Sequence, residues 1–514
     1  ATGAADAEGN SNMAIVLGCD TGPGDDIWAL SVALESLVGE IAPEATPVWQ
    51  RPRTVSQPME SDSLQLLADA DGWLHAMWVQ TTSGVSSQKA VHYSRWDGIG
   101  WSQPKAVLLS PEGEDTIQPS ITLSPDDKIM AVWTNGEPGS VYFSQADLAR
   151  ASIGSEWSSP MTLPMPRPAA SAPEISVSRD GVIYVAYVLP LNEGRGVYLT
   201  RSEDGGESWS GPQQVFDGVA ADWAMVDSPR LAAGDNGTVH LMWLRSSSPP
   251  ASEPLSLYYG RSVDGGVSWP EFSQVTQSPS GWSDVLTSGG LAVHRFWLAE
   301  NDDPWHQASS DGGASWGQPQ RVSSSGEELP LAASVLDGAG RPWLLQVAGT
   351  RTEAGAIRPP FELRSWVNVD GRWMTAEGLK LGGSEIDEFD AATTGGGDMD
   401  VVFSAFASGI GAQQEGQTIY HSSRHLDLPQ AQPTALPTLT PTPRPAATST
   451  PTPAPMPTAT TSFPTEADQE GVFTLPANMS NPVIGPLLGA IPAAIVVLIA
   501  FFVGVRLLRG DRRR

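Results

Sequence analysis

The sequence predicts an all-β protein built as a ring, a seven-bladed β-propeller over residues 47–425 closed by a strand from its own N-terminal side. Six blades is the alternative. Three observations carry this reading. A turn of the form Ser-x-Asp-x-Gly-x-x-Trp is spelled three times; a turn-led strand ending in an aromatic recurs about every 50–60 residues; and a Trp-led, proline-containing strand recurs with one copy displaced to the N-terminal side.

The repeated turn comprises Ser202, Asp204, Gly206 and Trp209, then Ser262, Asp264, Gly266 and Trp269, then Ser309, Asp311, Gly313 and Trp316. A short Asp side chain accepts bonds from backbone N–H groups just beyond it, Gly supplies positive φ, and Ser adds a local hydroxyl bond. The Trp then returns the chain to a strand with a large apolar anchor. This pattern resembles the Asp-box, or bacterial neuraminidase, repeat of the sialidase-like β-propellers. The resemblance implies a structural turn between the third and fourth strands of a blade, on the face away from the ligand funnel.

The turn-led strand begins near residues 71, 127, 180, 236 and 289, with weaker copies near 338 and 397, which makes seven. Short runs of period-two alternation behind turn residues are strand chemistry. His75, His240 and His294 recur on this strand, which points to packing, with ligand or base duty as the other option. The Trp-led strand starts at Trp101, Trp157, Trp209, Trp269, Trp316 and Trp373. Its proline removes a ladder donor, so it belongs at the outer edge of each blade. The seventh repeat lacks one, and the missing strand stands at residues 49–55, ahead of the first complete repeat. Ring closure by strand exchange follows, because joining the ends removes two open sheet edges.

Acidic residues outnumber basic ones 58 to 29, giving a formal charge of −29. Nucleic acid is therefore not an expected partner, since it demands a cationic surface. The single cysteine, Cys19, excludes an intrachain disulfide. Residues 1–46 are acidic and Gly/Ala-rich, read as largely disordered and without an intact signal peptide. The run 19–30 resembles the calcium-binding opening of nucleoside hydrolases, but Gly22 replaces one Asp and a residue is missing after Gly24. No metal and no cofactor is assigned, and a short helix is expected over 25–40.

Residues 426–480 form a Pro/Thr-rich stalk of low complexity, which cannot build a core and should be extended. The uncharged apolar run 483–505, within a segment 481–508, is long enough to cross a bilayer as a helix. Arginines follow through a basic tail at 509–514, so the C-terminus is expected in the cytoplasm and the propeller outside, at a cell membrane spanned once.

The resemblance also implies what an active sialidase needs: three arginines around the sialate carboxylate, a tyrosine nucleophile paired with glutamate, and an aspartate acid/base. The first arginine should lie in an Arg-Ile-Pro-like motif on an innermost strand. The nearest match is Ser228-Pro229-Arg230-Leu231, with proline on the wrong side. Arg195, Arg245, Arg351 and Arg358 lie in loops expected to face the funnel, and Tyr420 occupies a slot where Tyr198 and Tyr258 also recur. No catalytic residue is carried over, and whether the chain is an enzyme stays open. The same loops hold Glu112, Glu114, Asp115, Asp217, Asp222, Asp227, Asp302, Asp303, Glu327 and Glu328, and paired carboxylates are the tools of ordinary glycosidases. Trp223 and Trp282 are candidates to stack on a sugar or anchor a protein partner, or else to plug the core, and Arg230 and Arg245 are candidate ligand contacts. The expected function is recognition of a glycan or protein at the funnel. Exo-sialidase or other glycoside hydrolase activity, and a structural envelope role, are the alternatives.

Overall fold

The structure, a computed structural model, describes residues 2–5, 11–18, 27–33 and 49–426, apart from 83–87, 137–138, 271, 325–327, 352–356, 384, 396 and 407–415. The chain divides into two compact units, Ala1–Gln430 and Ala431–Arg514. The expected stalk beyond 426, the apolar run 483–505 and the basic tail lie outside the described residues. Among the described residues, no helix is long and apolar enough to cross a membrane.

Seven four-stranded antiparallel sheets follow one another along the chain, so the count is seven rather than six. Their innermost strands are Ser61–Ala68, Thr116–Leu123, Ser171–Val177, Met225–Ala233, Ser283–Thr287, Glu328–Leu336 and Ile386–Thr393. The fourth blade shows the pattern, with Met225–Ala233, Val239–Ser246, Pro254–Ser262 and Phe272–Gln277 laid side by side from axis to rim. Second strands are buried on both faces, as in Val239–Ser246, which accounts for their apolar runs.

The seventh sheet takes its outer strand from the other end of the chain. Arg53 and Thr54 pair with His421 and Tyr420, the Val55 N–H donates to the Ile419 carbonyl at 2.8 Å, and the Gln50 N–H to that of Ser423 at 2.8 Å. Trp49 is 5% exposed and packs in the cluster built from the sixth and seventh blades. Its indole donates to the Glu377 carbonyl at 2.9 Å.

The repeated turns form as their chemistry dictates. In the first, the Ser202 hydroxyl donates to Asp204 at 2.7 Å and accepts from the Gly206 N–H at 2.8 Å, while Asp204 accepts from the Ser208 N–H at 2.9 Å. Asp264 and Asp311 repeat the arrangement with Ser268 and Ser315. The Ser208, Ser268 and Ser315 hydroxyls and N–H groups, with the first Ser of each turn, hold these three carboxyls down at about 2. Each turn packs backward: a Cβ on Gly313 would lie 2.2 Å from the Tyr259 hydroxyl of the preceding blade, and one on Gly266 2.3 Å from Leu199.

The recurring histidines pack. His75 meets the Tyr93 hydroxyl at 2.7 Å, His240 that of Tyr259 at 2.8 Å, and His294 meets His306 at 3.0 Å. Burial holds His240 and His294 at about 4, so both are neutral at physiological pH. Tyr198, Tyr258 and Tyr420 likewise stack on Tyr187, Trp243 and Phe403 of the neighbouring strand.

One local expectation fails. Ile27–Ala33 is a strand, not part of a helix over 25–40; it pairs with Ser11–Gly18, which in turn pairs with Thr2–Ala5 in a three-stranded sheet. The Ile27, Trp28 and Val32 composition favours an extended chain once a partner strand is present, and that pairing overrides the acidic residues that suggested a helix start.

Removing residues 1–56 should lower the thermal midpoint of the whole ring, whereas removing 1–44 should leave it unchanged. Trp49→Ala in the intact chain should cost about 3 kcal/mol. Equal melting of the two truncations would refute closure by this strand.

Candidate functional site at the propeller axis

Residues from all seven innermost strands surround a central cavity of about 630 Å³. Four of these strands carry a residue in the left-handed region near their first end: Ser63 (φ 57°), Gln118 (φ 50°), Ala172 (φ 48°) and Ser228 (φ 47°). Such a conformation costs a non-glycine residue about 1 kcal/mol or more. Ladder register shifts at the same places, so each is a bulge that re-aims the next side chains toward the axis.

Pairing with the second strands puts one residue per blade at a common level: Gln65, Ser120, Glu174, Arg230, Asp284, Ala333 and Asp390. These side chains reach from blade to blade as a polar belt. Gln65 donates to the Pro119 carbonyl at 2.5 Å and accepts from the Ile121 N–H at 3.0 Å. The Ser120 hydroxyl donates to Glu174 at 3.3 Å, and Arg230 is ion-paired through Nη1 with Glu174. Arg230 Nε donates to the Ser283 carbonyl at 3.0 Å, the Ser334 hydroxyl to Asp284 at 2.6 Å, and the Leu66 N–H to Asp390 at 2.8 Å. Beside the belt, the Glu388 carboxylate accepts the Ser63 and Leu64 N–H groups, each at 2.8 Å. Trp282 and Phe389 give the cavity aromatic wall.

The electrostatics are lopsided. Four carboxylates and one guanidinium line the cavity, and among the described lining residues Arg230 is the only arginine and no tyrosine occurs. Burial pushes Asp284 up to about 6, against the pull of the Ser334 hydroxyl and Arg230. It raises Asp390 to about 7 and Glu388 to about 7, against backbone N–H donors in each case. Burial alone works to lower the Arg230 pKa, but Glu174, Asp284 and Asp390 outweigh it and the group ends raised. A carboxyl that titrates near neutrality can act as acid or as carboxylate, and so can donate to or accept from a hydroxyl group.

Sequence reading found two of these residues, Arg230 and Trp282. It expected Trp223 at the funnel, but Trp223 is 6% exposed and packed at a tilt against Phe216 and Tyr258, where it fills the core between the third and fourth blades. Arg245 lies over the Trp223 ring at 5.7 Å rather than in the cavity, and Arg195 donates to the Trp223 carbonyl. Of the loop acids, none that is described lines the cavity. Asp217 caps the Val219 and Ala220 N–H groups, Asp303 pairs with Arg321, and buried Glu328 with Arg364. Glu327 and the Arg351 side chain lie outside the described residues. The acids that do line the cavity, Glu174, Asp284, Glu388 and Asp390, were missed because they sit on strands. A signal was present: Pro119, Pro173 and Pro229 each follow the bulge residue and precede the belt residue.

The class of protein is thus a seven-bladed β-propeller with an acidic, aromatic-walled axial cavity. No protein-family model matches the chain, and no curated protein matches it. Among solved structures, a protein of unknown function from Dyadobacter fermentans is similar at 14% identity and a TM-score of 0.43, covering 74% of this chain and 100% of its own. The Hadza microbial sialidase Hz136 is similar at 13% identity and TM-score 0.43, covering 73% and 68%. The phage phi92 endosialidase is similar at 11% and 0.44, covering 77% and 72%. The ring stands on its own strand pairings rather than on these likenesses.

The raised carboxyls make a stability prediction. A carboxyl whose folded pKa exceeds its unfolded value near 4 takes up protons on folding, so its contribution is present below about pH 4 and lost as pH rises through about 7. Asp390→Asn should therefore raise the thermal midpoint at pH 8 by a few degrees and change it less at pH 5. A shift equal at both pH values would mean that Asp390 titrates normally.

Proposed function

We propose that this chain is a glycan-recognition propeller held at a cell surface, with the axial cavity as its binding site. The observation that carries the reading is that cavity: apolar and aromatic wall from Trp282 and Phe389 beside carboxyls suited to sugar hydroxyls. Its volume falls within the range of about 300–1,000 Å³ usual for small-ligand sites. A purely structural belt does not account for Asp284, Asp390 and Glu388, because carboxyls raised to about 6 or 7 by burial weaken the fold at neutral pH. Groups kept at a cost to stability concentrate at functional sites.

Orientation supports display. The Gly265 N–H donates to the Gly237 carbonyl at 2.8 Å, so the turns after first and third strands share a face. The Leu426 N–H donates to the Gly397 carbonyl at 2.8 Å, so the described chain leaves the ring on that face. The bulges lie at the other ends of the innermost strands. In this reading residues 426–480 and the apolar segment 481–508 are the tether, and the bulged ends of the innermost strands lie opposite the face at which the described chain leaves the ring. A second reading, hydrolysis of a neutral glycoside, is favoured by Asp284 and Asp390, whose raised pKa suits a general acid. Exo-sialidase activity is disfavoured by a described lining that holds one arginine, already paired.

A glycan array probed with the purified protein should show binding that Trp282→Ala weakens about tenfold, with no release of reducing sugar. Turnover abolished by Asp284→Asn or Asp390→Asn would establish the hydrolase instead. Retention only of protein partners would replace glycan by protein as ligand. Protease added to intact cells should release a soluble fragment the size of the ring; a ring protected until lysis would place it in the cytoplasm.

A further inference from the structure

Arg230 is the only guanidinium on the described cavity wall, and its charge is already paired with a carboxylate. Nη1 faces Glu174 and Nε the Ser283 carbonyl. Glu174 is itself fixed from behind by the Ser120 hydroxyl, at 3.3 Å. The pair is not sealed in the core: side-chain exposure is 37% for Arg230 and 21% for Glu174, so both border the open cavity. Once Glu174 neutralises Arg230, Asp284, Asp390 and Glu388 remain with no further cation among the described lining residues to balance them.

A carboxylated ligand entering here meets an arginine whose charge Glu174 already offsets, and three further acids. An uncharged sugar meets hydrogen-bonding groups and aromatic wall, and a sugar bearing an ammonium also gains charge complementarity. We propose that Glu174 determines the specificity of the cavity: by holding Arg230 it reserves the site for saccharides without negative charge, an amino sugar being the best match, and excludes carboxylated ones. This rests on the glycan reading above. Exclusion is built by occupying the one group that would otherwise attract the wrong ligand.

The test compares N-acetylneuraminate, methyl galactoside and glucosamine as probes, by calorimetry on the solubilised full chain and its variants. The parent should bind glucosamine more tightly than methyl galactoside, with only the glucosamine affinity falling as salt is raised, and N-acetylneuraminate least. Glu174→Gln keeps a bond to Arg230 without the charge, and should raise N-acetylneuraminate affinity about tenfold or more. Adding Arg230→Met should abolish that gain, which shows that the freed arginine makes it. A parent that binds N-acetylneuraminate as tightly as methyl galactoside overturns the proposal. So does a folded Glu174→Gln chain, checked by its melt, that gains nothing. Should Glu174→Gln fail to fold, the parent's ranking and the salt dependence decide. If the parent binds no sugar, the glycan reading falls by itself, and the acidic probe on Glu174→Gln still decides whether Glu174 withholds Arg230.

Discussion

The ring depends on one contact made seven times: the tryptophan that opens each outermost strand packs backward onto the preceding blade. Trp209 meets Phe143 at 5.1 Å, Trp316 meets Tyr259 at 5.0 Å, and Trp373 meets Phe296 at 6.1 Å. Trp157 and Trp269 join the clusters of the blades before them. Trp101 lies against His421 of the seventh blade, at 5.2 Å, and Trp49 completes the circuit against the sixth. A blade cannot bury both faces of its own sheet, so each borrows a wall from its neighbour. Burying an indole at every interface favours one fixed rotation between blades, and that rotation leaves a hollow axis.

The axis is where the fold stops serving itself. Towards the rim, side chains fill space, and His240 and His294 are buried and neutral. At the centre, four non-glycine residues adopt left-handed backbone and three carboxyls are held away from their ordinary pKa. The polar belt joins these features mechanically, since Glu174, Arg230 and Asp284 each bond a strand of a neighbouring blade. Neighbouring belt charges act on one another directly: Arg230 pulls against the burial of Asp284 and Asp390, and the charge of Asp284 adds to the rise of Asp390.

Periodic features were legible in the sequence because they repeat. The three Ser-x-Asp turns, the six Trp-led strands and the displaced copy at Trp49 each had a register against which to be judged. The cavity was not legible for the opposite reason. Its residues share a level but not an identity, running Gln65, Ser120, Glu174, Arg230, Asp284, Ala333 and Asp390. Structural pairing aligns all seven, whereas the sequence marks only Ser120, Glu174 and Arg230, by the proline before each. Trp223 misled because an indole in a loop reads alike whether it faces solvent or folds back onto Phe216 and Tyr258.

Closure by the strand at Arg53–Thr54 has a consequence in time. That strand is among the first parts of the ring to be synthesised, and its partner, Gln417–His425, is the last. At about 5–20 residues per second, some tens of seconds separate the two. Throughout that interval six blades stack as an open arc whose leading segment has no partner and whose first sheet lacks a neighbour. The last strand to emerge both completes its own blade and recruits the oldest one, so the ring becomes cooperative in a single late event. Until then the nascent chain is a solenoid with two raw ends, and whatever shields those ends during synthesis is as much a requirement of this architecture as its tryptophans.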